Sequence, residues 1–383
     1  MFDYIIVGAG FSGCVIAERI ANILDKKVLI VDKRSHVGGN CYDYKDNNGI
    51  IVHKYGPHLF HTDNDDTFNY LSKFTSWVDY SHKVVAYIDG KKVPIPFNLN
   101  TISQLFPKDV YKTFEKKLID EFGYNKKIPI FTLMESDDQD LKFLANYVYE
   151  NVYVNYTAKQ WGLDPKDLDP SVMSRVPIFI GLDDRYFHDK YQSLPKDGYT
   201  PMFTNMLKNK NIKIMLDTDY TEIMQIRKDK IKLFGNDFSG KVVYTGPVDE
   251  LFDDRYGDLS YRSLKLVFED VDHEYFQDKT TVNYPNNYSF TRITEFKHMY
   301  QTRSKKSTIL KEYPQEYVKG ENIPYYPVFT KDQHKKYEKY KTLSKTYKNL
   351  ILVGRLAEYK YYDMDDVVER ALEVFKEELS SEL

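Results

Sequence analysis

The spacing of hydrophobic positions near the N-terminus predicts a strand, a helix and a second strand. The residues from Asp3 to Val7 form a short, mainly apolar run rich in β-branched side chains, and Gly8 to Gly13 follow it at once. Apolar residues then recur at helical spacing, at Val15, Ile16, Ile20 and Ile23. A second apolar run, Val28 to Val31, ends in Asp32. This order of periodicities is typical of a βαβ unit.

The pattern changes twice in the middle of the chain. Residues 97–170 contain several amphipathic stretches, which predict a mainly helical part. One stretch has apolar residues at Leu141, Leu144, Ala145, Val148 and Val152. Between about 173 and 330, short apolar runs instead predict strands that are scattered in sequence. Examples are Lys213 to Leu216, Lys241 to Thr245 and Leu264 to Phe268.

The C-terminal segment again predicts a buried strand followed by a helix, as at the N-terminus. Leu350 to Gly354 reads as another buried strand, and Asp363 to Leu379 as a long amphipathic helix. We therefore expect the βαβ part to be discontinuous in sequence and to be closed by the last segment of the chain.

Length and composition restrict the class of protein. A chain of 383 residues exceeds the size at which one hydrophobic core keeps growing, so we expect two or three sub-domains around a shared site. Hydrophobic residues at 42% and charged residues at 29% argue against global disorder. The net charge of -3 gives no reason to expect nucleic acid or an anionic membrane as a partner.

Cysteine usage and the N-terminus predict a cytoplasmic protein. Cys14 and Cys41 are far apart and lack metal-ligand spacing, so we interpret them as reduced packing residues. The chain enters an apolar strand at once, without the features of an export signal. No apolar run approaches the roughly 20 residues that span a bilayer.

The strongest local motif is Gly8-x-Gly10-x-x-Gly13. The first glycine allows a tight turn, the second lets backbone approach a pyrophosphate, and the third lets the helix pack on the strand. The pyrophosphate would then lie at the helix N-terminus. Asp32, at the end of the next strand, is placed to bind a ribose. An ordinary glycine turn is the alternative, but the strand before the motif and the helix after it favour dinucleotide binding.

The residues after Asp32 indicate which dinucleotide is bound. The pair Gly38-Gly39 resembles an extension found in FAD-binding proteins of the glutathione-reductase type, which NAD-binding domains usually lack. Gly354, Arg355 and the helix near Asp363 fit the second FAD segment of that class. We therefore predict an α/β fold class with a discontinuous Rossmann-like FAD-binding domain of the glutathione-reductase type, a helical sub-domain and a mixed or antiparallel sheet sub-domain.

These patterns give approximate domain boundaries. The FAD-binding domain is predicted at 1-76, 194-250 and 335-383. The helical sub-domain is predicted at 97-172, and the sheet or substrate sub-domain at 77-96, 173-193 and 251-334.

A second motif, Lys54 to Thr62, contains His58 and His61. Their spacing could place both on one side of a turn, yet no carboxylate or cysteine accompanies them, so no metal is expected. The histidines could simply be satisfied locally. We favour a loop that lies against the isoalloxazine ring of the flavin.

Four segments together resemble bacterial UDP-galactopyranose mutases. They are Tyr55-Gly-Pro-His-Leu-Phe-His-Thr62, Tyr156-Thr-Ala-Lys-Gln-Trp-Gly162, Tyr325-Tyr-Pro-Val328 and Gly354-Arg-Leu-Ala-Glu-Tyr-Lys-Tyr-Tyr-Asp-Met364. They occur in the order of that family and cover nearly the whole chain. The resemblance implies a homodimeric enzyme that interconverts UDP-galactopyranose and UDP-galactofuranose without net redox change. It further implies a covalent adduct of the sugar with reduced FAD and an external reductant such as NAD(P)H. A role in cell-surface polysaccharide synthesis follows from the same resemblance.

The resemblance also implies site residues. Arg175 and Arg292 would hold the departing diphosphate, a task that suits the planar, bidentate donors of arginine, and His58 would join them at the reacting centre. Arg262 is a weaker third arginine. The other expected substrate contacts are His82, Tyr156, Thr157, Trp161, Tyr186, Asn283, Tyr326 and Tyr361. Family members often have asparagine where this chain has His82, which leaves UDP-N-acetylgalactosamine open as an additional substrate.

The cofactor would be held by residues from both ends of the chain. The expected contacts are Gly8, Gly10, Ser12, Gly13, Asp32, Lys33, Gly38, Gly39, Asn40, His58, Leu59, Arg355, Met364, Asp365, Asp366, Val367, Val368 and Glu369. The family often has glutamate at Asp32 and a bulky residue at Ser12, and both changes are compatible with FAD. The alternatives are an FAD-dependent oxidase or desaturase of the amine-oxidase type, a nicotinamide-linked dehydrogenase, and a non-catalytic UDP-sugar binder.

Overall fold

A computed structural model describes residues 2–162 and 177–380 of the chain. Its strands, in chain order, are β1 (Tyr4–Val7), β2 (Val28–Val31), β3 (Asp43–Lys45), β4 (Ile51–His53), β5 (Phe60–Thr62), β6 (Trp77–Asp79), β7 (Val84–Ile88), β8 (Lys91–Ile95), β9 (Lys126–Ile128), β10 (Ile178–Ile180), β11 (Tyr191–Pro195), β12 (Ile212–Met215), β13 (Met224–Arg227), β14 (Lys230–Leu233), β15 (Asn236–Phe238), β16 (Lys241–Tyr244), β17 (Tyr261–Val271), β18 (Thr281–Asn283), β19 (Arg292–Glu295), β20 (Ser307–Glu316), β21 (Tyr326–Pro327) and β22 (Leu350–Leu352).

The helices alternate with these strands. In chain order they are α1 (Phe11–Ile23), α2 (Asp65–Leu71), α3 (Leu99–Leu105), α4 (Lys108–Phe122), α5 (Ile130–Met134), α6 (Gln139–Val148), α7 (Asn155–Trp161), α8 (Tyr199–Met206), α9 (Tyr220–Ile223), α10 (Val248–Leu251), α11 (Lys297–Tyr300), α12 (Lys331–Ser344) and α13 (Met364–Val374). The α6–α7 junction at Tyr149–Val154 and the end of α13 at Phe375–Leu379 have π-helical geometry. In the described ranges, no helix is long and apolar enough to cross a membrane.

A five-stranded parallel sheet in the order β12-β2-β1-β16-β22 forms the centre of the N-terminal unit. Its central strand β1 is buried along its whole length, as expected for a parallel sheet with covered faces. Helices α1 and α13 pack together on one side, where Ile16 and Ile20 share a core with Val368 and Ala371. The predicted Rossmann-like α/β fold class is confirmed, and its sheet combines strands from both ends of the chain.

A seven-stranded sheet in the order β21-β17-β20-β19-β18-β7-β8 forms the second layer. Its pairs are antiparallel except for β18 with β7. The strands predicted among residues 173–330 are therefore divided between two sheets. β12 and β16 join the parallel sheet, whereas β17 joins the seven-stranded one.

Helices α3 to α7 form a third part with its own core. Leu141, Leu144, Ala145 and Val148 are fully buried in it, and Val152 packs against it. This is the apolar face that the helical periodicity predicted. Cys14 and Cys41 are buried and unpaired, which agrees with their interpretation as reduced packing residues.

Candidate active site

A cavity of about 430 Å³ opens where the three parts meet. Strands of the seven-stranded sheet, helix α7 and the loop before β11 contribute to its wall. Six of the residues expected to bind substrate line it together: Tyr156, Tyr186, Asn283, Arg292, Tyr326 and Tyr361. They come from separate segments between Tyr156 and Tyr361, so the fold itself assembles this surface.

Arg292 supplies positive charge to the cavity wall. It lies on β19 directly opposite Glu312 of β20, and its Nε donates a hydrogen bond of 2.7 Å to Glu312 Oε1. The Glu312 side chain is 1% exposed and that of Arg292 is 27% exposed. Burial alone would lower the pKa of Arg292, but the Glu312 carboxylate raises it above its usual range. The bond from Nε to Glu312 thus holds the guanidinium in place. Its terminal amino groups make no hydrogen bond to another described residue.

Tyrosines form a second wall beside this arginine. The rings of Tyr326 and Tyr361 are parallel within 4° with centroids 6.3 Å apart. The Arg355 guanidinium lies 5.8 Å from the first centroid and 5.2 Å from the second, in cation–π range. Burial and the neighbouring Tyr361 raise the pKa of Tyr326 to about 12. Burial likewise raises the pKa of Tyr156 above its usual range. Both phenols are therefore neutral donors near pH 7.

The two glycine motifs meet at the N-terminus of α1. The Gly38 N–H donates to the Ala9 carbonyl at 2.8 Å. A Cβ built on Gly39 would lie 2.9 Å from the Gly10 Cα. Helix α1 begins after Gly10 without a side-chain cap and without an acidic residue in its first turn. Its free N–H groups and positive dipole end suit a dinucleotide pyrophosphate.

Asp32 lies at the adjacent end of β2. Its Oδ2 accepts the Ala9 N–H at 2.7 Å and its Oδ1 accepts the Arg34 N–H at 2.8 Å. These bonds fix the carboxylate and leave further lone pairs for ribose hydroxyls. The residues present therefore fit a bound dinucleotide.

The N-terminus of α13 faces the same region from the other end of the chain. The Asp363 N–H donates to Asp366 Oδ2 at 2.8 Å, which starts the helix. Cys41 Sγ lies 3.6 Å from Met364 Sδ and so joins this helix to the Gly38-Gly39 segment. Burial, aided by Asp366, raises the pKa of Asp365 to about 6.

Comparisons with known proteins identify the family. A family model described as UDP-galactopyranose mutase matches residues 151–361. The dTDP-fucopyranose mutase of Escherichia coli is 37% identical over 381 residues, which make up 97% of this chain and 97% of that protein. A probable UDP-galactopyranose mutase of Klebsiella pneumoniae is 37% identical over 383 residues, 99% of this chain and 95% of that protein. The chain belongs to the UDP-galactopyranose mutase family.

Two further matches agree with the fold of this mutase family. A model described as an NAD(P)-binding Rossmann-like domain matches residues 6–74. The crystal structure of reduced UDP-galactopyranose mutase aligns with a TM-score of 0.75 at 14% identity, covering 100% of this chain and 94% of that one. The family resemblance inferred from the sequence motifs is thus confirmed.

Among the described residues, three that were expected at the mutase site do not line this cavity. His58 Nδ1 lies 2.8 Å from the Gly56 carbonyl oxygen, and burial lowers the pKa of His58 to about 3. His82 is 5% exposed, and burial with nearby Arg292 also lowers its pKa to about 3. The Arg262 Nε donates to the Gln160 carbonyl at 3.2 Å, which supports α7.

The remaining expected residues are distributed as follows. Arg175 lies outside the described residues, as do the side chains of Thr157 and Trp161 on α7. Lys33 is exposed, and the Asn40 side chain accepts from Arg34 at 3.0 Å. Ser12 lies under Gly354, whose added Cβ would come within 2.5 Å of Ser12 Oγ.

The other expected cofactor contacts lie mainly on or near α13. Leu59 and Val367 pack against the core shared by α1 and α13. Val368 is fully buried in that core, so its side chain packs between the helices. Glu369 lies 3.5 Å from Thr67 Oγ1.

The structure adds cavity residues that were not among the expected site residues. They include His61, Lys127, Gln160, Phe187, His188 and Asp189. His61 and Gln160 lie inside the quoted family motifs, so their position could have been noticed. Phe187 to Asp189 carry no such signal, because their place depends on the pairing of β11 with β5.

Lys159 joins α7 to the loop between β18 and β19. Its Nζ donates to the carbonyls of Tyr284, Tyr288 and Phe290 at 2.5, 3.1 and 3.3 Å. Burial lowers its pKa to about 8, so the ammonium persists at neutral pH. We expect Lys159→Met to lower the thermal midpoint by about 2–4 °C, since charged hydrogen bonds contribute on the order of 1–3 kcal/mol. Calorimetry against Lys335→Met, at an 80% exposed side chain, checks this, and equal midpoints would contradict it.

Proposed function

We propose that this protein interconverts UDP-galactopyranose and UDP-galactofuranose. The observation that carries the proposal is the placement of Arg292 on the wall of a cavity shared with Tyr156, Tyr326 and Tyr361, beside a dinucleotide cradle. A nucleoside diphosphate sugar requires such a cation for its diphosphate and donors for its hydroxyls. The mutases among its relatives support this substrate class.

FAD is the cofactor expected from membership of this family. Gly8, Gly10 and Gly39 would hold its pyrophosphate at α1, and Asp32 would hold its ribose. The start of α13 would approach its ring system. When bound and reduced, the flavin supplies an electron-rich nitrogen as a nucleophile towards the anomeric carbon.

The chain's own residues then have positioning tasks. Arg292, fixed by Glu312, would hold the diphosphate while its bond to the sugar is broken and remade. Arg175 would be its partner in this clamp. The stacked pair Tyr326 and Tyr361 would donate hydrogen bonds near the sugar and the diphosphate. Helix α7 would hold the uridine.

The oxidase or desaturase alternative is not favoured. A family model for UDP-galactopyranose mutase covers the segment that forms much of the cavity wall. An oxidase would consume an electron acceptor with each substrate molecule, whereas a mutase needs reduction of its flavin only once.

The decisive experiment is incubation of the purified protein with UDP-galactofuranose after reduction by dithionite. Chromatography is expected to show conversion to UDP-galactopyranose by the reduced protein and none by the oxidised protein. Parallel samples with dTDP-fucofuranose compare the two substrate classes named among the relatives. Faster conversion of the dTDP sugar would overturn the proposed substrate, and equal activity of the oxidised protein would overturn the flavin's role.

The family resemblance supports three further parts of the proposal. The enzyme would act as a homodimer in the cytoplasm and receive electrons from NAD(P)H. Its product would supply galactofuranose for cell-surface polysaccharide. Sedimentation and anaerobic reduction by NADH and NADPH test the first and second parts directly.

A further inference from the structure

His61 and His188 are the two histidines that line the cavity among the described residues. His61 lies on β5 and pairs through its backbone with Gln192 of β11. Its ring stacks on Phe187 with centroids 3.6 Å apart and an interplanar angle of 19°. Nδ1 lies 3.4 Å from Asp189 Oδ2, which is an ion-pair distance rather than that of a short hydrogen bond. Because Nδ1 is turned to Asp189, Nε2 is the ring nitrogen that remains for the cavity.

The surroundings of His61 favour its charged form. Burial opposes the charge, but Asp189 outweighs it, and Asp365 and Asp363 at the start of α13 add to its effect, so the pKa of His61 is raised. Lys127 acts on Asp189 and favours its ionised form. Arg292 lines the same cavity, and burial lowers the pKa of the neighbouring His188. His82 is close enough to interact with His61, and its pKa of about 3 keeps it neutral. His58, only three residues away, is neutral for the same reason of burial.

The proposed ring interconversion requires the movement of one proton. In the pyranose, the ring oxygen O5 is bonded to the anomeric carbon C1, and in the furanose, O4 takes that place. As the O5–C1 bond breaks, O5 gains a proton. As the O4–C1 bond forms, the O4 hydroxyl loses one. The two changes balance, so a single group can give the first proton and take back the second.

We propose that His61 carries this proton between O5 and O4 through Nε2, and that Asp189 is the positioning residue that holds the imidazolium. The inference rests on the proposed function. His61 begins and ends each turnover protonated, in both reaction directions. Phe187 fixes the plane of the ring. The loop that presents Asp189 is itself anchored, because the Lys190 N–H donates to Asp63 Oδ1 at 2.8 Å and the Gln192 amide donates to the Asp189 carbonyl at 3.0 Å.

The first test is the pH dependence of kcat for the reduced enzyme and its variants. Wild-type kcat is expected to fall as pH rises through the raised pKa of His61, because the proton donor is then lost. Asp189→Asn removes the main group that raises this pKa, so the fall should move to lower pH. His61→Gln should lower kcat by about 10²-fold or more and abolish this limb of the profile. His273→Gln, at an exposed histidine, should behave as wild type.

The second test measures His61 without turnover. NMR titration of the imidazole signals, with the His61 signal assigned by its loss in His61→Gln, should give a raised pKa that falls in Asp189→Asn. Flavin content and thermal midpoint of each variant show that the fold is retained. If wild type converts the sugar and His61→Gln keeps kcat within about twofold, the proton-transfer role is refuted while the proposed function stands. If wild type fails to convert the sugar, the proposed function is refuted, and the proton-transfer role of His61 is refuted with it.

Discussion

Arg292→Ala is expected to lower kcat/KM for UDP-galactofuranose by about 10²-fold or more while the flavin remains bound. A charge-assisted clamp on a leaving diphosphate contributes on the order of 2–5 kcal/mol. Arg292 is fixed for this role by its bond to Glu312. Steady-state kinetics of the reduced enzyme give the loss, and visible absorbance gives the flavin content.

The same variant should also lose stability, which has to be separated from the catalytic effect. Without Arg292, the carboxylate of Glu312 remains buried without a cation, which costs about 3–5 kcal/mol. Arg292→Ala combined with Glu312→Gln removes that charge and should recover much of the free energy of unfolding. Activity should not return, since the clamp is still absent. A double variant with near-normal activity would show that Arg292 acts only through the fold.

Gly10→Ala is expected to lose flavin binding, whereas Gly13→Ala is expected to lose the fold. Gly10 has φ −82° and ψ −171°, which alanine can adopt, and its added Cβ would lie 3.8 Å from the nearest protein atom, the Gly39 Cα. The Gly10 variant should therefore fold but lose most of its flavin, because the methyl group occupies the space that a pyrophosphate would approach. A Cβ on Gly13 would lie 2.0 Å from the Gly8 carbonyl oxygen, so this variant should lose the fold itself.

The two glycine variants are compared by circular dichroism, thermal unfolding and the ratio of flavin to protein absorbance. Native-like dichroism with little flavin is the expected result for Gly10→Ala. Low soluble yield or early unfolding is expected for Gly13→Ala. Full flavin content in Gly10→Ala would mean that no cofactor phosphate approaches this turn.

Local signals explain why the N-terminal unit was predictable and its sheet order was not. The run from Asp3 to Val31 contains its own strand and helix periodicities, and the structure reproduces them as β1, α1 and β2. The positions of β12, β16 and β22 depend on parallel pairing across long stretches of chain. Such pairing leaves no mark within a short window of sequence.

The candidate site likewise contains residues that sequence motifs predicted and residues that only long-range strand pairing brings together. Family motifs pointed to the tyrosines and to Arg292, and the structure places them around one cavity. The carboxylates behind Arg292 and His61 were not foreseen, since Glu312 and Asp189 reach their partners across strand pairs. His58 and His61 look alike in sequence, yet of the two it is His61, on strand β5, that lines the cavity.

Strand β22 and helix α13 complete the N-terminal unit, and their late place in the sequence affects when this unit can fold during synthesis. Both come from the last part of the chain, so a polypeptide still emerging from the ribosome has an open edge at β16 and no helix to pack beside α1. Domains whose segments are contiguous can fold during synthesis, but this one has to wait until β22 and α13 have been made. Flavin loading is therefore expected only after β22 has paired with β16 and α13 has packed beside α1.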